Sequence, residues 1–347
     1  MKKIACILQL TVLLFSVLHA NNSSAKDYRH IDSIMRLCPA RHSKSAEKLA
    51  KYIAKQFRSE NDRLRAAYSW VAQHVGYDVA KMYDGITYKH ESEVVRQVLK
   101  TRKTVCTGYV LTFKAITENL GLKIFEVKGC TKQNGKIDAI SHVWCAVKHG
   151  DRWLLIDPTW SSGYVASGVF NKRFNDKWYL VSPGEIIKSH IPFDPLWQFS
   201  YFPLNNNEFA AGKKADSITS RFFSYPDTVK VIEKQSKKEY LIASNRRTLS
   251  MKSNNSLTTR YVNNNKSTIE HLAYNENVDA YNEAANLYNL SASLYKKKKN
   301  REKALLKLDE ALTIVNRIKN PDKSISGSIR DLKEMINKLE SKIIAML

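Results

Sequence analysis

The sequence predicts an α+β fold in which helices pack on an antiparallel sheet, followed by a mainly α-helical C-terminal region. Three observations lead to this prediction. Apolar residues recur at three- and four-residue spacing between residues 45 and 120, as in amphipathic helices. Between residues 123 and 160 they alternate or form short continuous runs, as in strands. The helical spacing returns from residue 269 to the end. Helices that precede strands, instead of alternating with them, are typical of α+β domains.

The first residues have the pattern of a secretory signal peptide. Two lysines precede an uncharged apolar run over residues 4–18, and small residues follow it. We place the signal peptide at residues 1–25, with cleavage after Ala20 as the alternative. The run is too short to span a bilayer comfortably, and no later segment is apolar enough to do so. We therefore expect a periplasmic or secreted protein with no integral membrane segment after cleavage.

Four helices are expected next. The segments "SAEKLAKYIAKQF" (45–57) and "ENDRLRAAYSWVAQHV" (60–75) are amphipathic, and "ESEVVRQVLKT" (91–101) is a shorter helix. The stretch "CTGYVLTFKAITENLG" predicts a buried helix that begins near Cys106 and ends at Gly121. The segments "KIFEVKGCT", "SHVWCAVKHG" and "DRWLLIDPTW" then predict strands, the last two joined by a tight turn.

The chain after the strands is harder to interpret. Residues 206–268 are rich in Asn, Ser and Lys; "TVKVIEK" and "YLIAS" are candidate strands there, and the segment has no firm assignment. Residues 269–347 are expected to be helical. The spacing of one tetratricopeptide-like unit is matched there, by Tyr288, Ala292 and Tyr295 on a first helix and Ala304, Leu308 and Ala311 on a second. A single unit favours packing on the preceding domain over a repeat array. The predicted domains are therefore 26–205, 206–268 and 269–347.

Composition narrows the function classes. The formal net charge is +23 at pH 7, but the basic residues are spread along the chain. Nucleic-acid binders more often concentrate them on one face or arm, so we expect no nucleic-acid partner. Four cysteines follow the signal segment, without a Cys-x-x-Cys pair, and we expect no metal and no cofactor. Cys130 and Cys145 lie in consecutive strands and are either a disulfide or, as we favour, buried thiols.

Cys106 is the candidate nucleophile. It follows a polar segment and begins an apolar helix, where the helix dipole and the unpaired N–H groups favour a thiolate. Thiolate chemistry needs a histidine to share the proton and a third group to orient its ring. His142 begins one predicted strand and Asp157 ends the next. Antiparallel strands joined by a short turn bring such positions together, so Cys106, His142 and Asp157 form a candidate triad.

Three blocks of sequence carry a further signal. They read "TVCTGYV" at 104–110, "HVWC" at 142–145 and "DPTW" at 157–160. Their order resembles the transglutaminase-like superfamily, and most closely its bacterial and kyphoscoliosis-peptidase-like members, over residues 60–200. Two departures matter, because Thr104 replaces the usual glycine and Cys145 the usual asparagine. Neither removes a triad member, but each leaves room for altered or lost activity.

The resemblance implies a papain-like core and an acyl transfer through a thioester. It implies Cys106 as nucleophile, His142 as general base and acid, and Asp157 as the group that orients the imidazole. The oxyanion donors it implies are the Cys106 N–H and one upstream group, for which we select Tyr77; a core tyrosine is the alternative. Trp144 and Trp160 are expected to be core or cleft-wall aromatics. The remaining polar candidates are expected to be structural or surface residues: His74, His90, His149, His190, Asp78 and Asp151.

The sequence does not show whether water or an amine accepts the acyl group from the thioester. Water would make the protein a peptidase or amidase, which we favour, and an amine would make it a transglutaminase. The expected partner is a protein or peptide substrate, with cell-envelope components as one source. The alternative function is an inactive transglutaminase-like scaffold that mediates protein–protein interaction in the envelope, since a fold does not guarantee an activity.

Overall fold

The computed structural model describes residues 27–86, 88, 90–214, 221–253, 255–297 and 300–345. The signal-peptide prediction for residues 1–25 lies outside them. Among the helices within these ranges, none combines the length and apolarity needed to cross a bilayer. The chain divides into two compact units, the first formed by residues up to 127 with 142–186, the second by residues 128–141 with those from 187 onward.

The first unit contains seven helices of the described chain. They are α1 (Arg29–Arg36), α2 (Ala46–Gln56), α3 (Glu60–His74), α4 (Glu91–Thr101), α5 (Cys106–Asn119), α6 (Pro158–Ser162) and α7 (Pro183–Ile186), with short 3₁₀ helices at Ala40–Ser43 and Val79–Lys81. Serine side chains cap two of these helices, because Ser45 and Ser59 accept hydrogen bonds from the N–H groups of the first turns of α2 and α3. The predicted helices at 45–57, 60–75, 91–101 and 106–120 are thus confirmed.

The strands form one four-stranded sheet and two small pairs. The strands are β1 (Gly76–Tyr77), β2 (Lys103–Thr104), β3 (Ile124–Gln133), β4 (Lys136–His149), β5 (Arg152–Ile156), β6 (Gly163–Ala166), β7 (Val169–Lys172) and β8 (His190–Pro192). The larger sheet has the order β5-β4-β3-β8, β1 pairs in parallel with β2, and β6 pairs with β7 as a hairpin. The predicted antiparallel sheet is therefore confirmed.

The core of the first unit lies between the helices and one face of the sheet. Alternate residues of β4 (Val143, Cys145 and Val147) and Ile156 of β5 share this core with apolar residues of α3, α4 and α5. Trp70, Tyr109 and Phe113 are fully buried in it. Burial of aromatic side chains of this size contributes much of the stabilisation of a small domain.

The second unit is mainly helical. Its helices are α8 (Asn206–Ala210), α9 (Tyr225–Ile232), α10 (Lys237–Ser250), α11 (Ser256–Lys296), α12 (Arg301–Arg317) and α13 (Lys323–Ile344), with a 3₁₀ helix at Pro195–Gln198. The candidate strands "TVKVIEK" and "YLIAS" are wrong, because both segments lie in helices, α9 and α10. Ser236 and Glu239 form a capping box that starts α10, which favours a helix over a strand for the second of these segments.

The C-terminal helices α11, α12 and α13 share an apolar core. Small residues allow α11 and α12 to approach closely, because Ala284, Ala304 and Ala311 are fully buried and the Ser291 hydroxyl donates to the Ala304 carbonyl at 2.8 Å. Leu308 is also buried there. The predicted C-terminal helical region is confirmed, whereas its likeness to a tetratricopeptide unit and the domain boundaries at residues 205 and 268 remain predictions.

Candidate active site

Cys106 lies at the first position of α5 and is almost fully buried, with 9% of its surface exposed. The preceding residue, Val105, is extended and cannot cap the helix with its side chain. The first N–H groups of a helix have no partner within the helix, and they stabilise negative charge. The Cys106 sulfur and its own N–H therefore lie where an anion is favoured.

His142 and Asp157 meet because of the strand register. Strands β4 and β5 pair with Cys145 opposite Ile156. One further step along this register sets Asp157 opposite Trp144, and His142 lies two residues before Trp144 on the same face. Diagonal neighbours of this kind are within reach of long side chains. The His142 Nε2 atom lies 2.8 Å from the Asp157 Oδ2 atom, so the predicted proximity of these two residues is observed.

Asp157 is held by both of its oxygen atoms. Its Oδ1 atom accepts hydrogen bonds from the backbone N–H groups of Thr159 (2.8 Å) and Trp160 (3.1 Å), which makes it the N-cap of α6. Its own N–H donates to the carbonyl of Trp178 at 2.9 Å. The carboxylate is completely buried. These bonds fix the side chain so that Oδ2 faces the imidazole.

Charge and hydrogen bonds stabilise the protonated form of His142. Burial alone lowers its pKa, but the charge of Asp157 and hydrogen bonds to Asp157 and Cys106 together raise the pKa of His142 to about 10. A carboxylate only accepts hydrogen bonds, so Nε2 carries the proton that faces Asp157. His142 therefore contacts both of the other candidate residues, Asp157 and Cys106.

Tyr109 links the elements that carry Cys106 and Asp157, and the sequence analysis gave it no role. It follows Cys106 by one helical turn and is fully buried. Its hydroxyl donates to the Val75 carbonyl at 2.8 Å and accepts from Ser162 at 3.1 Å. Val75 directly follows α3, and Ser162 is the last residue of α6. The signal that points to Tyr109 is its spacing of three residues from Cys106 on a helix.

Tyr77, the candidate oxyanion donor, lies beside the triad. It pairs with Thr104 in the parallel β1–β2 ladder, and Thr104 precedes Cys106 by two residues. Burial raises the pKa of Tyr77, and the nearby charges of Cys106 and Asp157 raise it further. The phenol therefore stays protonated and remains a hydrogen-bond donor at all ordinary pH values.

Two indole rings flank the imidazole. The ring centroid of His142 lies 6.1 Å from Trp144, nearly parallel to it, and 5.8 Å from Trp160. Trp144 is fully buried, whereas Trp160 is partly exposed and contacts Trp178 edge-on at 5.0 Å. Both positions agree with the expected core and cleft-wall roles.

The other polar candidates have contacts of their own. His74 stacks on Trp70 and contacts its carbonyl at 3.1 Å, and the buried His190 contacts the Ser189 hydroxyl at 2.8 Å. Asp78 begins a 3₁₀ helix and pairs with Lys103 at 3.3 Å. The others are at exposed or half-buried helix ends and turns: His90, His149 and Asp151. Their expected structural roles agree with these environments.

The two departures from the family pattern have different consequences. Thr104 is buried, and its Cβ lies 2.8 Å from the position that a Cβ on Gly108 would occupy. Any side chain at position 108 would therefore clash with Thr104, so this position needs a glycine. Cys145 points into the apolar core, and burial raises its pKa well above the ordinary value. Cys38, Cys106, Cys130 and Cys145 are all free thiols.

A buried arginine supports the segment that follows the β6–β7 hairpin, and the sequence analysis missed it. Arg65 is fully buried on α3, forms ion pairs with Asp32 (2.5 Å) and Asp176, and lies against four aromatic rings: Tyr28, Tyr68, Phe174 and Tyr179. The Tyr68 hydroxyl donates to the Asn175 carbonyl at 2.9 Å. Arginine is common on helices, so no sequence pattern distinguishes this one.

Comparisons with known proteins identify the family that part of this chain resembles. The family model of the transglutaminase-like superfamily matches residues 47–158, which include Cys106, His142 and Asp157. The chain is 28% identical over 171 residues to the human kyphoscoliosis peptidase and 30% identical over 171 residues to the mouse protein of the same name (Homo sapiens and Mus musculus). These alignments cover 47% and 46% of this chain but 25% of either relative, so the chain spans about a quarter of their length.

A solved structure described as the crystal structure of a TGase aligns with 50% of this chain and 41% of its own, at 20% identity and a TM-score of 0.27. The family match includes the first two sequence blocks and the first two residues of the third, Asp157 and Pro158. Residues 47–158 of this chain therefore form a transglutaminase-like domain.

Proposed function

We propose that this protein is a cysteine-dependent acyl-transfer enzyme that acts on carboxamides through a thioester. The hydrogen-bonded series Cys106–His142–Asp157 carries the proposal, because it has the parts that activate a thiol: a nucleophile, a base and a group that orients the base. The superfamily match supports the same chemistry.

In the proposed reaction, the Cys106 sulfur attacks the carboxamide carbon and its proton passes to Nδ1 of His142. The carbonyl oxygen becomes an oxyanion, which the Cys106 N–H and, in our proposal, the Tyr77 hydroxyl stabilise. The C–N bond then breaks, and the leaving amine takes the proton from His142. A water molecule or a second amine attacks the thioester, gives a proton to His142, and releases the thiolate.

We propose hydrolysis, and therefore a peptidase or amidase activity, as the main outcome. Transfer to an amine requires a cleft that favours the amine over bulk water, and no motif in the sequence indicates one. An intact set of triad side chains argues against the alternative of an inactive scaffold, since loss of activity is often accompanied by loss of a triad member.

We further propose that the substrate is a protein or peptide of the cell envelope and that the enzyme works in the periplasm or outside the cell. The N-terminal pattern and the net charge of +23 support this location. Cell fractionation with N-terminal sequencing of the purified protein tests it: a mature chain that begins near residue 26 or 21 is expected, and a cytoplasmic chain that keeps residues 1–20 contradicts it.

The activated thiol is tested by alkylation. Limiting iodoacetamide is applied between pH 5 and 9, and the labelled positions are mapped by mass spectrometry. Cys38 is an internal reference, because burial raises its pKa to about 11. We expect Cys106 to react selectively at pH 6.5, and His142→Ala to abolish this reactivity. The matched control His149→Ala changes a histidine next to the β4–β5 turn and should leave the rate unchanged.

Two results would overturn the proposal. One is alkylation of Cys106 at pH 6.5 no faster than that of Cys38. The other is a Cys106 rate that is the same in the native protein and in His142→Ala. Either result favours the scaffold function, in which the fold is retained without its chemistry.

A further inference from the structure

The segment that precedes the candidate nucleophile is paired with the segment that carries Tyr77. The two strands, β2 and β1, are two residues long and run in parallel, with Tyr77 opposite Thr104. The Gly76 N–H donates to the Arg102 carbonyl at 2.8 Å, and the Asp78 N–H donates to the Thr104 carbonyl at the same distance. In the chain that the structure describes, β1 and β2 pair only with each other. So short a ladder gains little stability from its own pairing.

This ladder sets the spacing between the two donors that we propose for the oxyanion. Val105 follows β2 and leads directly to the Cys106 N–H, which is the first donor. The Tyr77 hydroxyl is the second, and it lies near enough to Cys106 for a charge on the sulfur to raise the pKa of the phenol. A shift of β2 along β1 would therefore change the distance between the donors. Such distances matter, because both donors must lie within hydrogen-bond reach of the same oxygen.

Arg102 lies at the start of this segment in an uncommon backbone conformation. It directly follows α4, with φ 56° and ψ 25°, and its N–H donates to the Val98 carbonyl at 2.8 Å. Glycine is the usual residue in this left-handed conformation at the end of a helix, because a side chain there is strained. Other residues persist in it where the surrounding structure holds them. The Arg102 side chain therefore needs contacts that offset the strain.

Those contacts are with two buried residues. The guanidinium carbon of Arg102 lies 4.5 Å from the centroid of the Trp70 ring on α3. Its Nη2 atom donates to the Ser43 hydroxyl at 2.6 Å and to the Ser43 carbonyl at 3.3 Å. Trp70 is fully buried, and Ser43 is 3% exposed. Stacking on an indole and hydrogen bonds from a charged donor are both favourable contacts for a guanidinium. Arg102 thus attaches the start of β2 to α3 and to the 3₁₀ helix Ala40–Ser43.

We infer that Arg102 is a positioning residue for the proposed reaction. Its side chain, held by Trp70 and Ser43, fixes the place of its own carbonyl in the ladder and so the register of β2 against β1. The ladder in turn directs the Tyr77 hydroxyl and the Cys106 N–H towards one oxygen atom. The inference rests on the proposed acyl-transfer function and deepens it by naming what holds the oxyanion donors in place.

Two reactions of Cys106 separate this role from an effect on folding. In acylation by p-nitrophenyl acetate, the sulfur attacks the ester carbon through an oxyanion, its proton passes to His142, p-nitrophenolate leaves and an acetyl thioester forms. Alkylation by iodoacetamide displaces iodide and forms no oxyanion. The measured quantity is the ratio of the acylation rate constant to the alkylation rate constant at pH 6.5, with Cys106→Ala as the blank. A loss of folded molecules lowers both rates alike, so the ratio reports the oxyanion donors.

Arg102→Gly should lower this ratio by about tenfold, because a misplaced donor costs less than a donor that is removed. Glycine suits the left-handed backbone, so the variant removes the side-chain contacts without adding strain. Ser43→Ala leaves residue 102 unchanged and removes the hydroxyl that Nη2 bonds, and it should lower the ratio by about threefold. The matched control is Arg96→Gly, at an exposed arginine inside α4. Glycine destabilises a helix interior, but the ratio should not change.

Tyr77→Phe tests whether Arg102 acts through the oxyanion donors. By itself it should lower the ratio by about a hundredfold, as expected for the loss of one donor. Adding Arg102→Gly to this variant should change the ratio by less than about twofold, since the donor that Arg102 positions is already gone.

Rapid alkylation of Cys106 with an unchanged ratio in Arg102→Gly overturns the positioning inference alone. So does an unchanged ratio in Ser43→Ala, because the side-chain contacts would then not matter. A full further decrease when Arg102→Gly is added to Tyr77→Phe also overturns it, and an unchanged ratio in Tyr77→Phe removes the second donor and the inference with it. Slow alkylation of Cys106 in the native protein overturns the proposed function itself.

Discussion

Asp157 uses its two carboxylate oxygens for different purposes: Oδ2 contacts His142 at 2.8 Å, and Oδ1 caps the helix α6. One side chain therefore orients the imidazole and starts the segment that leads to the β6–β7 hairpin. The two roles can be separated by substitution, because asparagine is as good an N-cap as aspartate but carries no charge.

Asp157→Asn should keep the fold and lose the activated thiol. The free energy of unfolding should change by less than that in Asp157→Ala, which also loses the cap and about 1 kcal/mol with it. The alkylation rate of Cys106 at pH 6.5 should fall by about a hundredfold, because the amide cannot stabilise an imidazolium. Chemical denaturation and alkylation measure the two effects. Asp151→Asn is the matched control, and an unchanged rate in Asp157→Asn contradicts the assigned role.

The raised pKa of His142 makes part of the stability depend on pH. A histidine whose folded pKa is about 10, against an ordinary value of 6.5, binds its proton more tightly in the folded state. Its contribution is complete below pH 6.5 and is lost as pH rises towards 10. The difference in the free energy of unfolding between the native protein and His142→Gln should therefore shrink between these values.

Urea denaturation at intervals from pH 6 to 9.5 measures this difference. His149→Gln provides the baseline, and its difference from the native protein should not vary with pH. A difference for His142→Gln that stays constant, or that grows with pH, would show that the buried imidazolium–carboxylate pair is not formed.

A substitution at Thr104 should compensate for the loss of stability that a substitution at Gly108 causes. Gly108→Ala places a methyl group against the buried Thr104 side chain and should destabilise the domain by about 1–3 kcal/mol. Thr104→Gly removes that side chain, so the double variant should recover most of the loss. Thermal unfolding of the four proteins completes the cycle. Equal unfolding temperatures for the single Gly108→Ala variant and the double variant would contradict the contact.

Tyr109→Phe should weaken the link between α5 and α6. The variant removes the hydroxyl that bonds Val75 and Ser162 in a buried site, at a cost of about 1–2 kcal/mol. Since this link positions Cys106, the alkylation rate should fall as well, without a change in its dependence on pH. Tyr274→Phe, on the surface of α11, should alter neither quantity. A rate equal to that of the native protein would mean that packing alone positions Cys106.

Much of the site follows from local sequence. The helix that begins at Cys106 and the two strands that carry His142 and Asp157 have clear periodicity, and the short turn between the strands fixes which ends meet. Tyr109, Arg65 and the exposed β6–β7 hairpin did not emerge in this way. Their roles depend on residues that are distant in the chain, such as Ser162, which is 53 positions from Tyr109, and Asp176, which is 111 positions from Arg65.

In the segment 206–268, the local sequence suggested strands where the structure has helices. Val229 and Val231 favour strands by intrinsic propensity, but both lie in α9, where Val229 packs inward and Val231 is exposed. A run of seven residues is too short for periodicity to distinguish a strand from a buried helix. Tertiary packing decides between them, and one sequence does not reveal it.

The link through Tyr109 couples the chemistry of this chain to its folding. The nucleophile, the base and the carboxylate come from α5, β4 and the start of α6, and none of these elements brings two of them together by itself. A newly made or unfolded chain therefore carries only ordinary thiols, and in the proposed function Cys106 becomes reactive only when the domain folds. On this proposal, the fraction of Cys106 that is alkylated rapidly reports the fraction of correctly folded molecules.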